Sequence, residues 1–128
     1  MRLLPILTFV FAPLWSGQNV GTPTAPPVME LQGVDVSHYQ KDIDWDTVAR
    51  KQTLDFAFVK ATEGHDYRDS MFCRTWENLR RLGIRRGAYH FFRAYGCGDE
   101  QAANFLQFVE MEPGDLAPVL DIELTDGI

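Results

Sequence analysis

Two acids interrupt an apolar run near the end of the chain, Val119-Leu120-Asp121-Ile122-Glu123-Leu124. The flanking Val, Leu and Ile read as a strand packed on a core, and side chains alternate along a strand. Asp121 and Glu123 therefore share one face, roughly 6–7 Å apart along the backbone. Two neighbouring acids with poor access to water do not both ionise cheaply. One pKa rises, and its owner becomes a proton donor near neutral pH. Cleavage of a glycosidic bond needs that pairing: an acid for the leaving oxygen and an anion to steady the developing positive charge. Solvated acids at a strand end, or a structural ion pair, are the plainer explanation, and the apolar frame weighs against them.

The elements that must position these acids alternate in texture. LQGVDVS reads as a strand, IDWDTVARKQ as a short helix and DFAFVKA as a second strand. DSMFCRTWENLRRLG places Phe72, Trp76, Leu79 and Leu82 at helical spacing, with Gly83 as its stop. RGAYHFF is a third strand, GDEQAANFLQFVEM a third helix and APVLDIEL a fourth strand. The alternation predicts an α/β fold of about four parallel strands joined by three helices through right-handed crossovers. Asp35, Lys60, His90 and Asp121 fall late in successive strands, 25, 30 and 31 residues apart. The carboxyl ends of parallel strands face one rim, where ligands bind. Glu63, Tyr89 and Glu123 are expected on that rim as well. Each residue alone has a bland explanation, such as a core histidine at His90 or a loop acid at Glu63; their convergence favours a polar cleft.

Composition bounds the function. The chain has 128 residues, 45% hydrophobic, with a formal net charge of −6 and a sequence pI near 4.9. An acidic balance without a basic patch argues against nucleic acid, and no run reaches the roughly 18 apolar residues of a membrane span. Residues 1–17 carry Arg2, then an apolar stretch from Leu3 to Trp15, then small residues, the outline of a secretory signal peptide. Residues 18–30, rich in Pro, Thr and Gly, read as an extended tether. The expected folded domain is 31–128, in a protein that is secreted or periplasmic. In an exported chain the two cysteines, Cys73 and Cys97, suggest one disulfide; in a reducing compartment they are ordinary thiols.

Other chemistries fit less well. Asp35, His90, Asp121 and Glu123 are acceptable ligands for a divalent ion, as in a metal-assisted hydrolase. They lack any HxH or HExxH pair and come from separate elements, so no metal and no cofactor is expected. Ser37 precedes His38 without a GxSxG elbow.

Four blocks, GVDVSHYQKDIDW, AFVKATEGHDYRD, GIRRGAYHFFR and PGDLAPVLDIEL, resemble in order and spacing glycoside hydrolase family 25, the Chalaropsis-type lysozymes (N-acetylmuramidases). The resemblance covers most of residues 33–124. It implies a modified TIM-like β/α barrel that cuts the β-1,4 bond between N-acetylmuramic acid and N-acetylglucosamine in peptidoglycan. It further implies that Glu123 is the catalytic acid, with Asp121 and Asp35 as its partners, and that Glu63, Lys60, Tyr89, His90 and Tyr39 line the substrate cleft. A barrel of this kind needs about eight strands, so a chain with four implies a truncated catalytic domain whose activity is in question. The alternatives are an inactive remnant that binds glycan, or one that self-associates through its open barrel edge.

Overall fold

The computed structural model describes residues 30–123. The expected signal peptide, and the expected tether apart from Glu30, lie outside these residues, as does the end of the fourth expected strand. In chain order the elements are β1 (Gly33–Val36), a 3-10 turn (His38–Gln40), α1 (Trp45–Lys51), β2 (Phe56–Glu63), β3 (Tyr67–Arg68), α2 (Phe72–Arg81), β4 (Arg85–Phe91), α3 (Gly98–Phe108) and β5 (Val119–Asp121). The four expected strands and three expected helices are all present, shorter at most ends than the sequence pattern suggests. The additions are the 3-10 turn, closed by a reciprocal Ser37–Gln40 capping box, and β3, which folds back antiparallel on β2.

The sheet order is β1-β2-β4-β5, all parallel, with β3 to the side on β2. Each new parallel strand is thus added beside the previous one. With crossovers of the usual right hand, this order places every helix on one face of the sheet. Winding of this kind builds an open, barrel-like arrangement. The apolar core lies between that outer face and the helices: Val36, Ala57, Val59, Ala61 and Ala88 from the strands meet Trp45, Phe72, Trp76, Leu79 and Phe105 from the helices. Helix α2 stops where expected. Gly83 adopts φ +68°, and Ile84 N–H returns to the Leu79 carbonyl, closing the helix end.

The inner face has a different chemistry. Register pairs Gly33 with Phe56 and Asp35 with Phe58, Phe58 with Gly87 and Lys60 with Tyr89, and Tyr89 with Val119 and Phe91 with Asp121. Paired residues in a parallel ladder share a face, so the inner face has an aromatic floor near the amino ends of the strands and a polar layer toward their carboxyl ends. Two glycines make the floor possible. A Cβ on Gly33 would stand 2.1 Å from the Phe56 ring, and one on Gly87 would stand 2.3 Å from the Phe58 ring. The rings lie across the space that a side chain would fill.

A substitution pair tests this packing. Gly87→Ala should cost about 1–3 kcal/mol in urea unfolding, because the Phe58 ring must leave its place. Gly98→Ala, whose Cβ meets nothing within 4 Å, should be close to neutral.

Candidate active site

The carboxyl edge of the sheet carries the predicted acids. Asp35 follows the aromatic floor on β1 and is exposed; Asp121 ends β5 and is half-buried; Glu123 lies two residues further on, exposed. All three act electrostatically on one phenol, Tyr89 of β4. Burial first, then the charges of Asp35, Asp121, Asp69 and Glu123, push the Tyr89 hydroxyl far above its ordinary value. Tyr89 therefore holds its phenolic proton more tightly than an ordinary tyrosine. Asp121 responds in the same direction: burial, then the charges of Glu123 and Asp35, raise its pKa. Like charge thus acts on Asp121 in the expected direction, but the expected apolar frame is not there: β5 ends at Asp121, before Glu123, and Leu120 and Ile122 are exposed rather than packed on a core.

Beside this cluster, a bulge reshapes β2. The β2–β4 register slips between Lys60 and Thr62, so both Lys60 and Glu63 turn to the inner face although three residues separate them. Regular alternation would place them on opposite faces. Their side chains meet, Lys60 Nζ donating to Glu63 Oε2 at 2.5 Å. Arg93 Nε donates to Glu63 Oε1 at 2.8 Å. Lys60 Nζ also lies 4.6 Å from the centre of the Phe91 ring, a contact favourable to a cation with little access to water. Burial alone would raise the Glu63 pKa, but hydrogen bonds and charge from Lys60 and Arg93 outweigh it and hold the carboxyl below its ordinary value. Glu63 is the fixed anion of the site.

His90 departs from the expectation. Its partner in register, Thr62, is on the helix side of the bulge, and the imidazole is buried there between layers. One ring nitrogen meets Thr62 Oγ1 at 2.7 Å and the other meets Gln101 Oε1 at 3.1 Å. His90 is a satisfied core histidine on the face opposite Tyr89, not a cleft residue. This also separates it from Asp35, Asp121 and Glu123 as a metal-ligand set. Cys73 and Cys97 are a second correction: both are free, exposed thiols. Cys73 lies in the first turn of α2 and Cys97 caps the start of α3, so the expected bridge is not part of this fold. Tyr39 is on the 3-10 turn after β1, 76% exposed, its ring 4.1 Å from that of His38.

Two groups escaped the sequence reading. Asp69 is wholly buried and binds His38 Nδ1 at 2.7 Å; its only signal was an acid just ahead of a helix, which usually means a cap. Arg86, hidden in a basic run, is 4% exposed and pairs with Asp115 and Glu112.

The fold is thus an open, barrel-like parallel sheet with Asp35 and Asp121 toward its carboxyl edge and their charges acting on Tyr89. Residues 34–127 match the glycosyl hydrolases family 25, and the chain belongs to that family. It is 43% identical over 102 residues to the protein YegX of Escherichia coli K12, covering 77% of this chain and 38% of YegX. It is 48% identical over 75 residues to Lysozyme M1 of Streptomyces globisporus, covering 59% of this chain and 25% of that enzyme. The solved family 25 glycosyl hydrolase from Bacillus anthracis superimposes with a TM-score of 0.71 at 44% identity, covering 74% of this chain and 43% of that one. The chain thus spans less than half the length of these relatives.

The Glu63 cluster yields a pH-dependent prediction. Because its folded-state pKa is depressed, its stabilisation is present above the unfolded value, roughly 4.3, and is lost as pH falls through the folded value. Glu63→Gln should cost about 1–3 kcal/mol at pH 7, since it strips a buried ammonium of its carboxylate. In denaturant titrations the difference from wild type should shrink steadily below about pH 4.

Proposed function

We propose that this chain carries the acid-bearing part of an exported muramidase, which hydrolyses the β-1,4 bond between N-acetylmuramic acid and N-acetylglucosamine in peptidoglycan. The observation that carries this reading is the gathering of Asp35, Asp121 and Glu123 around Tyr89 on the open inner face. Family membership and the resemblance to proteins named as lysozymes support it. Export rests on the N-terminal pattern of Arg2 followed by Leu3 to Trp15, and among the described residues no helix is long and apolar enough to cross a membrane.

The resemblance to family 25 suggests the roles, and position and charge are compatible with them. Glu123, at the exposed mouth, delivers a proton to the leaving oxygen. Beside it, burial and the charges of Glu123 and Asp35 make Asp121 harder to ionise than an ordinary aspartate. Asp35 faces the pair from the opposite side of the sheet's inner face and supplies negative charge toward the developing oxocarbenium ion. Tyr89 contributes a neutral donor, while Lys60, Glu63 and Arg93 form a charged wall beside it.

A second reading is a non-cleaving binder of glycan, favoured by the exposure of Leu120 and Ile122, 57% and 60%, on and beside β5. In that reading the β5 edge pairs with another copy of the chain. A peptidoglycan suspension separates the two. Clearance by wild type that falls about 100-fold or more in Glu123→Gln, the scale of a lost general acid, supports cleavage. Sedimentation with the wall without clearance supports binding alone, and clearance unchanged by the substitution contradicts the role given to Glu123.

A further inference from the structure

His38 and Asp69 form a dyad that the reaction scheme above does not use. The Asp69 carboxylate is wholly buried, and one oxygen, Oδ2, receives both the backbone N–H of His38 at 3.0 Å and its ring Nδ1 at 2.7 Å. The other oxygen accepts the N–H of Met71. A carboxylate so placed fixes a neutral imidazole as the Nδ1–H tautomer, because only that nitrogen can donate to it. The Tyr67 hydroxyl lies 3.1 Å from the same nitrogen. Among the described residues nothing in the protein engages Nε2, and the side chain is 29% exposed.

The surroundings suit a sugar. His38 follows Asp35 by three residues, just past the carboxyl end of β1. The Tyr39 ring, largely exposed, leans against the imidazole with centroids 4.1 Å apart, and the Tyr67 ring stands at 5.9 Å. The dyad thus lies next to the strand that carries Asp35, and the charge of Asp69 acts on the same Tyr89 phenol as the three acids. An exposed aromatic shelf offers the apolar face of a pyranose a surface, and an oriented acceptor beside it selects a donor on that ring.

We propose that His38, held by Asp69, is a substrate-positioning residue whose Nε2 accepts a hydrogen bond from an amide N–H or hydroxyl of an N-acetylhexosamine resting on Tyr39. This rests on the glycan-cleaving reading above for its substrate class. A loop staple would need the Asp69 bond to the backbone of His38 but would have no use for Nε2.

The test uses the soluble trisaccharide of N-acetylglucosamine, with binding followed by NMR and folding by thermal melting. The imidazole nitrogen shifts of free wild type should report the Nδ1–H tautomer, and Nε2 should move on addition of saccharide. His38→Phe keeps a ring against Tyr39 but takes one partner from buried Asp69, so Tm should fall; at temperatures where the variant stays folded it should weaken binding about tenfold, and His38→Gln, which restores an acceptor, should recover part of the loss. Asp69→Asn should alter the tautomer and weaken binding in His38-containing protein, but not further in His38→Phe. The proposal is overturned if Nε2 is unmoved at saturating saccharide, if His38→Phe binds like wild type, or if no binding is detectable. Saccharide binding through His38 without peptidoglycan clearance would instead overturn the cleavage reading and leave this one standing.

Discussion

A buried guanidinium decides where the acids arrive. Arg86 projects from the outer face of β4 and is almost wholly enclosed. Its cation rests 4.1 Å from the centre of the Trp76 ring, Nη1 donates to the Trp76 carbonyl, and the fork reaches Asp115 and Glu112. Those two acids belong to the turn between α3 and β5, and Asp115 in turn accepts the N–H of Glu112. The Leu116 N–H then bonds the Arg86 carbonyl, so the chain enters β5 already in register with β4. A charge this buried is tolerable only with its partners in place. The result is that Phe91 pairs with Asp121, and the acids end beside Tyr89 rather than one residue away on the helix side.

The same strand therefore serves two layers. Arg86, Ala88 and His90 of β4 turn outward to the helices, while Gly87, Tyr89 and Phe91 turn inward. Outward, His90 and Gln101 tie the sheet to α3, and Gln101 also holds both the N–H and the carbonyl of Arg93. Arg93 then closes on Glu63 from the inner side. Packing of α3 is thus connected, through Gln101 and Arg93, to the electrostatics of the cleft wall. The bulge in β2 completes the connection by bringing Lys60 to the same carboxylate.

Much of this was legible in the sequence because it depends on period. Strand and helix textures alternate cleanly, and Gly83 marks a helix stop. What failed depended on register, which period does not specify. Tyr89 and His90 are adjacent and equally polar, and nothing local says which one faces the cleft. The Lys60–Glu63 pairing needs a bulge at a run of ordinary β-formers, Lys60-Ala61-Thr62-Glu63. Asp69 resembles a helix cap and does bond the start of α2, so its second task toward His38 is invisible without tertiary structure. Cys73 and Cys97 invited pairing by count, yet they stand at the starts of two different helices.

The account turns on Asp121 being a reluctant acid, made so by burial and by the charges of Glu123 and Asp35. A carbon-detected NMR titration of the Asp121 carboxyl, in wild type and in Glu123→Gln, measures this directly. The account predicts a midpoint above the ordinary aspartate value of roughly 3.9, lowered by the substitution yet still elevated because burial remains. A midpoint at or below that value, unmoved by Glu123→Gln, would contradict it.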